Sequence, residues 1–331
     1  MKTPRFFQLD TLAEATLAGE AAAGLLAPSA SVSPKFLYDT LGSRLFEAIT
    51  ALDEYYPTRT EAAILAAEGA AIADAALSCS GPAPVLVDLG AGNCAKAARL
   101  FDALKPRRYV AVDISVDFLR EALAGLQREH PSLEIVGVGQ DFSSHLALPG
   151  ALVDQGALVF YPGSSIGNFA PAEALRLLRE ARALATQGPR AGGGLVIGAD
   201  LVKDARTLED AYDDALGVTA AFNLNLLRRL NRLLGADFDL RQWRHVAVFD
   251  TRHSRIEMHL EARQALTVHW RNGQAGGPGE RRFAAGERIH TENSYKWRPE
   301  DFAALLREAG YAAVRRFTDA RGWFGIFVAR A

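Results

Sequence analysis

Cysteine is nearly missing from this chain. Two occur in 331 residues, Cys79 and Cys94, too few for a disulfide framework. No Cys/His cluster has the spacing of zinc ligands, so neither a structural zinc nor a catalytic metal is expected. An excess of charge of one sign is missing too. Lys and Arg total 37 against 39 Asp and Glu, a net charge of −2. That balance supplies no field for a polyanion and argues against a nucleic-acid binder. No uncharged apolar run reaches the roughly 18 residues of a membrane-spanning helix. Met1 to Asp10 carry charge where a signal peptide is apolar. Repeats and long low-complexity tracts are also lacking. The expectation is a soluble, cytoplasmic chain, monomeric, with no membrane or nucleic-acid partner. What is present is globular: 49% hydrophobic and 23% charged residues, enough for one large domain or two ordinary ones without a metal or disulfide staple.

The pattern changes along the chain. Residues 1 to about 80 are alanine-rich and predict helices, interrupted at Ser31-Val-Ser-Pro34 and Glu54-Tyr-Tyr-Pro57, where proline breaks a helix. Residues 81 to about 205 alternate apolar runs with helical patterns: Val85–Leu89, Tyr109–Asp113, Leu133–Val138, Ala157–Phe160 and Gly194–Gly198. Such alternation, with near-continuous apolar strands, predicts a parallel sheet covered on both faces. From 206 to about 298 the rhythm breaks. A long amphipathic helix over about 207–234 precedes the strands His245–Phe249 and Arg255–Leu260, and Gly273 to Glu280 reads as a turn. A helix near 299–309 and two apolar runs, Tyr311–Phe317 and Trp323–Ala329, close the chain as a hairpin. The expected architecture is α/β: a Rossmann-like, mostly parallel sheet with a terminal antiparallel hairpin, more typical of class I methyltransferases than of dehydrogenases. The expected division is a helical segment over 1–60 contributing to the substrate site, a cofactor-binding domain over 61–205 and 299–331, and an inserted α+β substrate domain over 206–298.

Asp88-Leu-Gly90-Ala-Gly92-Asn-Cys-Ala-Lys96 follows the first strand of that sheet. Its glycines permit a tight turn that brings backbone N–H groups to a ligand at a helix start. A dinucleotide fingerprint needs a third glycine where this chain has Ala95, which demotes a nicotinamide cofactor. Asp113 ends the second strand, where a carboxylate can accept both hydroxyls of a ribose. Asp141 and Phe142 follow the third, an acceptor and an apolar ring suited to an adenine. S-adenosylmethionine fits better than NAD, and Lys96 can pair with its carboxylate or be an ordinary solvated lysine.

Longer motifs carry more information. Pro34-Lys-Phe-Leu-Tyr38 through Phe46, Glu54-Tyr55-Tyr56-Pro57-Thr-Arg59, Gly163-Ser-Ser-Ile-Gly-Asn168, Asp200-Leu-Val-Lys-Asp204, Ala211-Tyr212 through Thr219 with Phe222-Asn223, Ile256-Glu-Met258 and Ile289-His-Thr-Glu292-Asn-Ser294-Tyr-Lys296 together resemble the histidine-specific methyltransferases. The likeness is nearest the branch acting on the histidine α-amine in ergothioneine biosynthesis, and it covers nearly the whole chain. The resemblance implies S-adenosylmethionine as methyl donor, L-histidine as small-molecule substrate, and three successive transfers to its α-amine, giving hercynine. It also implies cofactor contacts at Gly90, Lys96, Asp113, Asp141 and Phe142. Histidine contacts are implied at Tyr55, Asn168, Tyr212, Glu292 and Ser294, with Tyr38 beside the reacting amine. The chain departs from the pattern at Asn93-Cys94-Ala95, Asn293 and Tyr295. The same residue types suit the chemistry: Asn168 and Tyr212 are neutral donors for a carboxylate, and Glu292 with Ser294 can serve the two nitrogens of an imidazole. Read without the resemblance, Tyr212 and Asn223 are ordinary helix positions and Glu292 a surface strand acid. A relative acting on another amine and a silent S-adenosylmethionine-binding regulator remain alternatives. His245, His253, His259, His269 and His290 lack ligand spacing and are expected on exposed strand positions.

Overall fold

The computed structural model describes residues 2–9, 14–154, 157–187, 192–273 and 277–331; residues 274–276 of the expected glycine turn lie outside them. In chain order, the elements before residue 200 are β1 (Arg5–Gln8), α1 (Glu14–Leu26), α2 (Thr40–Ile49), α3 (Tyr56–Ser80), β2 (Val85–Leu89), α4 (Ala95–Ala98), α5 (Phe101–Leu104), β3 (Arg108–Asp113), α6 (Val116–Glu129), β4 (Glu134–Gly139), β5 (Ala157–Tyr161), α7 (Pro171–Ala185) and β6 (Gly194–Asp200). Then follow α8 (Ala205–Asp210), α9 (Val218–Leu234), β7 (Trp243–Asp250), β8 (Arg255–Ala262), β9 (Leu266–Trp270), β10 (Gly279–Phe283), β11 (Arg288–Tyr295), α10 (Pro299–Glu308), β12 (Ala312–Thr318) and β13 (Phe324–Arg330). Contacts divide the chain into two compact units, each assembled from separate stretches. Met1–Asp10, Pro57–Val202 and Tyr295–Ala331 form the first; Thr11–Tyr56 and Lys203–Ser294 form the second.

The first unit is built on an eight-stranded sheet in the order β1-β4-β3-β2-β5-β6-β13-β12. Pairing is parallel from β1 to β6 and antiparallel where β13 joins β6 and β12 joins β13. Side chains alternate between two cores. Val85, Val87 and Leu89 join Val110 and Val112 against Leu177 of α7 and Phe302 of α10. Leu86, Tyr109 and Ala111 face Ile72 of α3 and Leu119 of α6. Both faces are therefore covered, which explains strands that are apolar at nearly every position. The chain winds one way from β2 to β4 and the other way from β5 to β6, so a switch point lies between β2 and β5. The crevice beyond the carboxyl ends of such strands is where open α/β sheets bind ligands.

β1 departs from expectation, since the first 80 residues predict helices. Four residues are too few to show a period, and Phe6 is accommodated by an absence: a Cβ on Gly137 would lie 2.6 Å from its Cδ2. α3 is long and apolar enough, by length and composition, to cross a membrane. Its Ile64, Leu65, Ile72, Ala73 and Ala76 are buried in the core of the first unit.

In the second unit α9 packs against α1, α2, β7 and β8. A three-stranded sheet runs β11-β8-β7, and β9 pairs with β10. The expected single helix over 207–234 is two helices. Gly217 turns into the left-handed region at φ +74°, and the Asp214 carboxylate accepts the N–H groups of Val218 at 3.0 Å and Thr219 at 2.7 Å. A side chain that caps a new helix start competes with continuing the old one. The histidines also differ from expectation. His253 and His269 are exposed, but His245, His259 and His290 are half-buried, and the rings of the last two meet at 5.3 Å. Among the described residues no group of three His, Cys, Asp or Glu side chains is arranged to hold a metal.

Candidate active site

The glycine loop after β2 is built by two positive-φ glycines, Gly90 at +67° and Gly92 at +52°. The N–H groups of Gly90 and Ala91 both reach the Val112 carbonyl, at 2.9 and 3.2 Å, which presses the loop against the end of β3. Asp113 completes the brace: Oδ2 accepts the Gly92 N–H at 2.9 Å and Oδ1 the Ser115 N–H at 2.8 Å. Burial pushes the Asp113 carboxyl above its usual range, partly offset by backbone N–H groups. A carboxylate has about four lone-pair sites, more than these two bonds use. Phe142 lies over the loop, its Cζ 3.9 Å from where a Cβ on Gly90 would sit, and no atom comes within 4 Å of a Cβ built on Gly92. Asp141 accepts from the backbone N–H and hydroxyl of Ser143. An open glycine turn, a carboxylate with spare lone pairs and an adjacent ring edge fit an adenosyl group.

Lys96 is held from below. Its Nζ lies 2.7 Å from Oε2 of Glu61, which is 1% exposed against 34% for the lysine. The other Glu61 oxygen accepts the Gly163 N–H at 2.8 Å. Glu61 thus ties the cofactor loop to the Gly163–Asn168 loop, a link that sequence reasoning missed. A signal was available: Glu61 stands three and four residues before Ile64 and Leu65 on α3, so it shares their buried stripe. Asp88, the acid that opens the loop motif, is buried and accepts the Tyr109 hydroxyl at 2.7 Å. Its desolvation outweighs that bond and the nearby Lys96, and its carboxyl is pushed up to about 7. Asp200 and Lys296, both from the long motifs, form a buried pair at 2.8 Å.

The expected amino-acid contacts divide between the units. Asn168 ends a 3-10 turn in the first unit and is half-buried. Tyr38, Tyr55, Tyr212, Glu292 and Ser294 belong to the second. There an aromatic chain runs from Tyr212 to Tyr55 at 6.0 Å, Tyr55 to Phe46 at 6.2 Å, and Phe46 to Tyr38 at 5.7 Å, with Phe222 against Tyr38 at 5.6 Å. The Tyr212 hydroxyl lies 2.7 Å from Ser294 Oγ. Ser294 and Glu292 alternate on one face of β11 and are 4% and 6% exposed, so Glu292 is not a surface acid. Of the departures, Asn293 Oδ1 accepts from His290 Nε2 at 2.9 Å, and Tyr295 is buried in the first unit with Trp297, ring centroids 6.3 Å apart. Cys94 is a buried N-cap at φ +63°, and burial pushes its thiol up to about 12, far from a reactive thiolate.

A sheet of this strand order, with a glycine turn at its switch point and a carboxylate at the next strand end, defines a class I methyltransferase using S-adenosylmethionine. More narrowly, the chain belongs to the histidine-specific, S-adenosylmethionine-dependent methyltransferases, whose family pattern matches residues 17–331. It is 43% identical over 329 residues to Histidine N-alpha-methyltransferase of Mycolicibacterium smegmatis, covering 98% of this chain and 97% of that one. It is 40% identical over 314 residues to the protein of the same name in Mycobacterium tuberculosis, covering 92% of each. Ergothioneine biosynthesis protein 1 of Neurospora crassa is 31% identical over 291 residues, 85% of this chain but 31% of that longer one.

Proposed function

We propose that this methyltransferase transfers three methyl groups in succession to the α-amine of L-histidine, producing hercynine for ergothioneine biosynthesis. One observation carries the reading for this chain's own residues. The second unit buries a carboxylate, Glu292, beside the hydroxyl pair Tyr212–Ser294. A carboxylate buried in this way is suited to an N–H donor, and an imidazole N–H is such a donor. Glu292 accepts that N–H, Ser294 serves the other ring nitrogen, and Tyr212 donates to the substrate carboxylate. Tyr55 and Tyr38 close the apolar wall, with Tyr38 beside the amine. Gly90, Asp113, Asp141 and Phe142 hold the cofactor's adenosine and Lys96 its carboxylate.

S-adenosylmethionine supplies an electrophilic methyl on a sulfonium. The protein's part is to hold the amine neutral, excluded from water and aligned, because in-line displacement depends chiefly on positioning. The test is mass spectrometry of histidine incubated with the protein and S-adenosylmethionine. Gains of one, two and three methyl groups are expected, with the third accumulating. Methylation of another amine with histidine untouched overturns the substrate, and cofactor binding without turnover on any amine overturns the activity.

A further inference from the structure

His245 and Asn223 are not among the expected ligand contacts, yet their hydrogen bonds end on Tyr212. His245 Nε2 lies 2.7 Å from the Tyr212 carbonyl oxygen. A carbonyl only accepts, so Nε2 carries the hydrogen. Nδ1 of the neutral ring is then an acceptor, and Asn223 Nδ2 stands 2.9 Å from it. The orientation of that amide is set independently. The same Nδ2 donates to the His259 carbonyl at 3.0 Å, where an amide oxygen would meet another acceptor. Two carbonyls therefore determine every hydrogen in the series from His259 through Asn223 and His245 to Tyr212. Asn223 is fully buried on α9. Burial disfavours the imidazolium of His245 against the pull of Asp213 and Asp214.

Tyr212 needs such support. It follows the end of α8, and its N–H turns back to the Glu209 carbonyl at 2.9 Å. Its own carbonyl meets the His245 ring, while its hydroxyl reaches Ser294. We propose that His245, held by Asn223 as the neutral Nε2–H tautomer, is a positioning residue that anchors the Tyr212 backbone and so presents its phenol to the amino acid substrate. The inference rests on the reading that Tyr212 binds that substrate.

The test uses the full chain with three substitutions, His245→Phe, His245→Gln and Tyr212→Phe, in steady-state kinetics with histidine. S-adenosylmethionine binding is followed by calorimetry. Misplacing a binding group is expensive, so His245→Phe is expected to raise KM for histidine about tenfold or more, to change kcat less, and to leave the cofactor Kd within about twofold. Glutamine offers an N–H to the Tyr212 carbonyl and an oxygen to Asn223, so His245→Gln recovers most of the loss. Long-range 1H–15N spectra of histidine-labelled protein are expected to show a neutral Nε2–H ring that vanishes in His245→Gln, a readout independent of how the phenylalanine variant folds. A wild-type KM in His245→Phe overturns the proposal. So does equal impairment of both His245 variants, or an Nδ1–H or charged ring at neutral pH. An unchanged KM in Tyr212→Phe overturns the substrate reading itself. A raised KM there beside a normal one in His245→Phe overturns only the positioning role.

Discussion

A carboxylate oxygen has two lone pairs, and at Asp113 each oxygen spends one on the protein, on Gly92 and on Ser115. In the proposed site the carboxylate also accepts the two hydroxyls of a ribose diol, each charge-assisted hydrogen bond worth roughly 1.5–3 kcal/mol. Asp113→Ala is therefore expected to weaken S-adenosylmethionine by at least about tenfold, since one such bond already accounts for that factor. The same change releases two backbone N–H groups, so thermal stability falls as well. Calorimetric titration separates the two, and an unchanged Kd in the folded variant removes Asp113 from the cofactor site. Glu61 shows why other residues escaped a reading of the sequence. Its partners stand 102 positions away at Gly163 and in the cofactor loop at Lys96. No local spacing announces such a pair, whereas Gly90, Asp113 and Asp141 sit at strand ends that the apolar runs already mark.

Strands covered on both faces are legible because nearly every residue is apolar, and β2, β3, β5 and β6 coincide with such runs. The terminal hairpin is legible for the same reason at β13, buried from Phe324 to Ala329. β12, expected as the apolar run Tyr311–Phe317, is mostly exposed. Two elements were not legible. β1 is four residues long and depends on a partner near residue 136. The break between α8 and α9 depends on a cap by Asp214, whose carboxylate an amphipathic pattern counts merely as polar. α2 depends on a comparable device. Asp39 caps it through the Gly42 N–H at 2.8 Å, accepts Asn225 Nδ2 of α9 at 2.8 Å, and pairs with Arg232. A cap contributes about 0.5–2 kcal/mol, and a buried hydrogen bond to a charged group roughly 1.5–3. Asp39→Ala is expected to lose about 2–4 kcal/mol by urea denaturation, the exposed arginine adding little. A loss below about 0.5 kcal/mol, the size of an ordinary surface change, would show that the cap does not hold α2 to α9.

At the scale of the whole chain, the residues assigned to the two ligands fall largely in different units: Gly90, Lys96, Asp113, Asp141 and Phe142 in the first, Tyr38, Tyr55, Tyr212, Glu292 and Ser294 in the second. Each unit is discontinuous in sequence, with the chain passing between them after Asp10, Tyr56, Val202 and Ser294. The partition has an energetic consequence. A substitution in the second unit that leaves the first intact should alter amino-acid turnover without altering cofactor affinity. Glu292 tests this most sharply, because it is the buried carboxylate assigned to the imidazole N–H. Phenylalanine or leucine brings no ring N–H, and sites built on such polar complementarity reject analogues by roughly 10⁴ or more, where apolar pockets manage about 10². Strong preference for histidine over phenylalanine is therefore expected. Glu292→Ala is expected to abolish that preference by destroying histidine turnover while S-adenosylmethionine binds as in the wild type. If Glu292 were an ordinary strand acid, its removal would fall within about 0.5 kcal/mol of neutral and kcat/KM for histidine would hardly move. Paired measurement of kcat/KM and cofactor Kd on this variant decides the matter, since a joint loss of both would mean that the two ligand sets are not separable by unit.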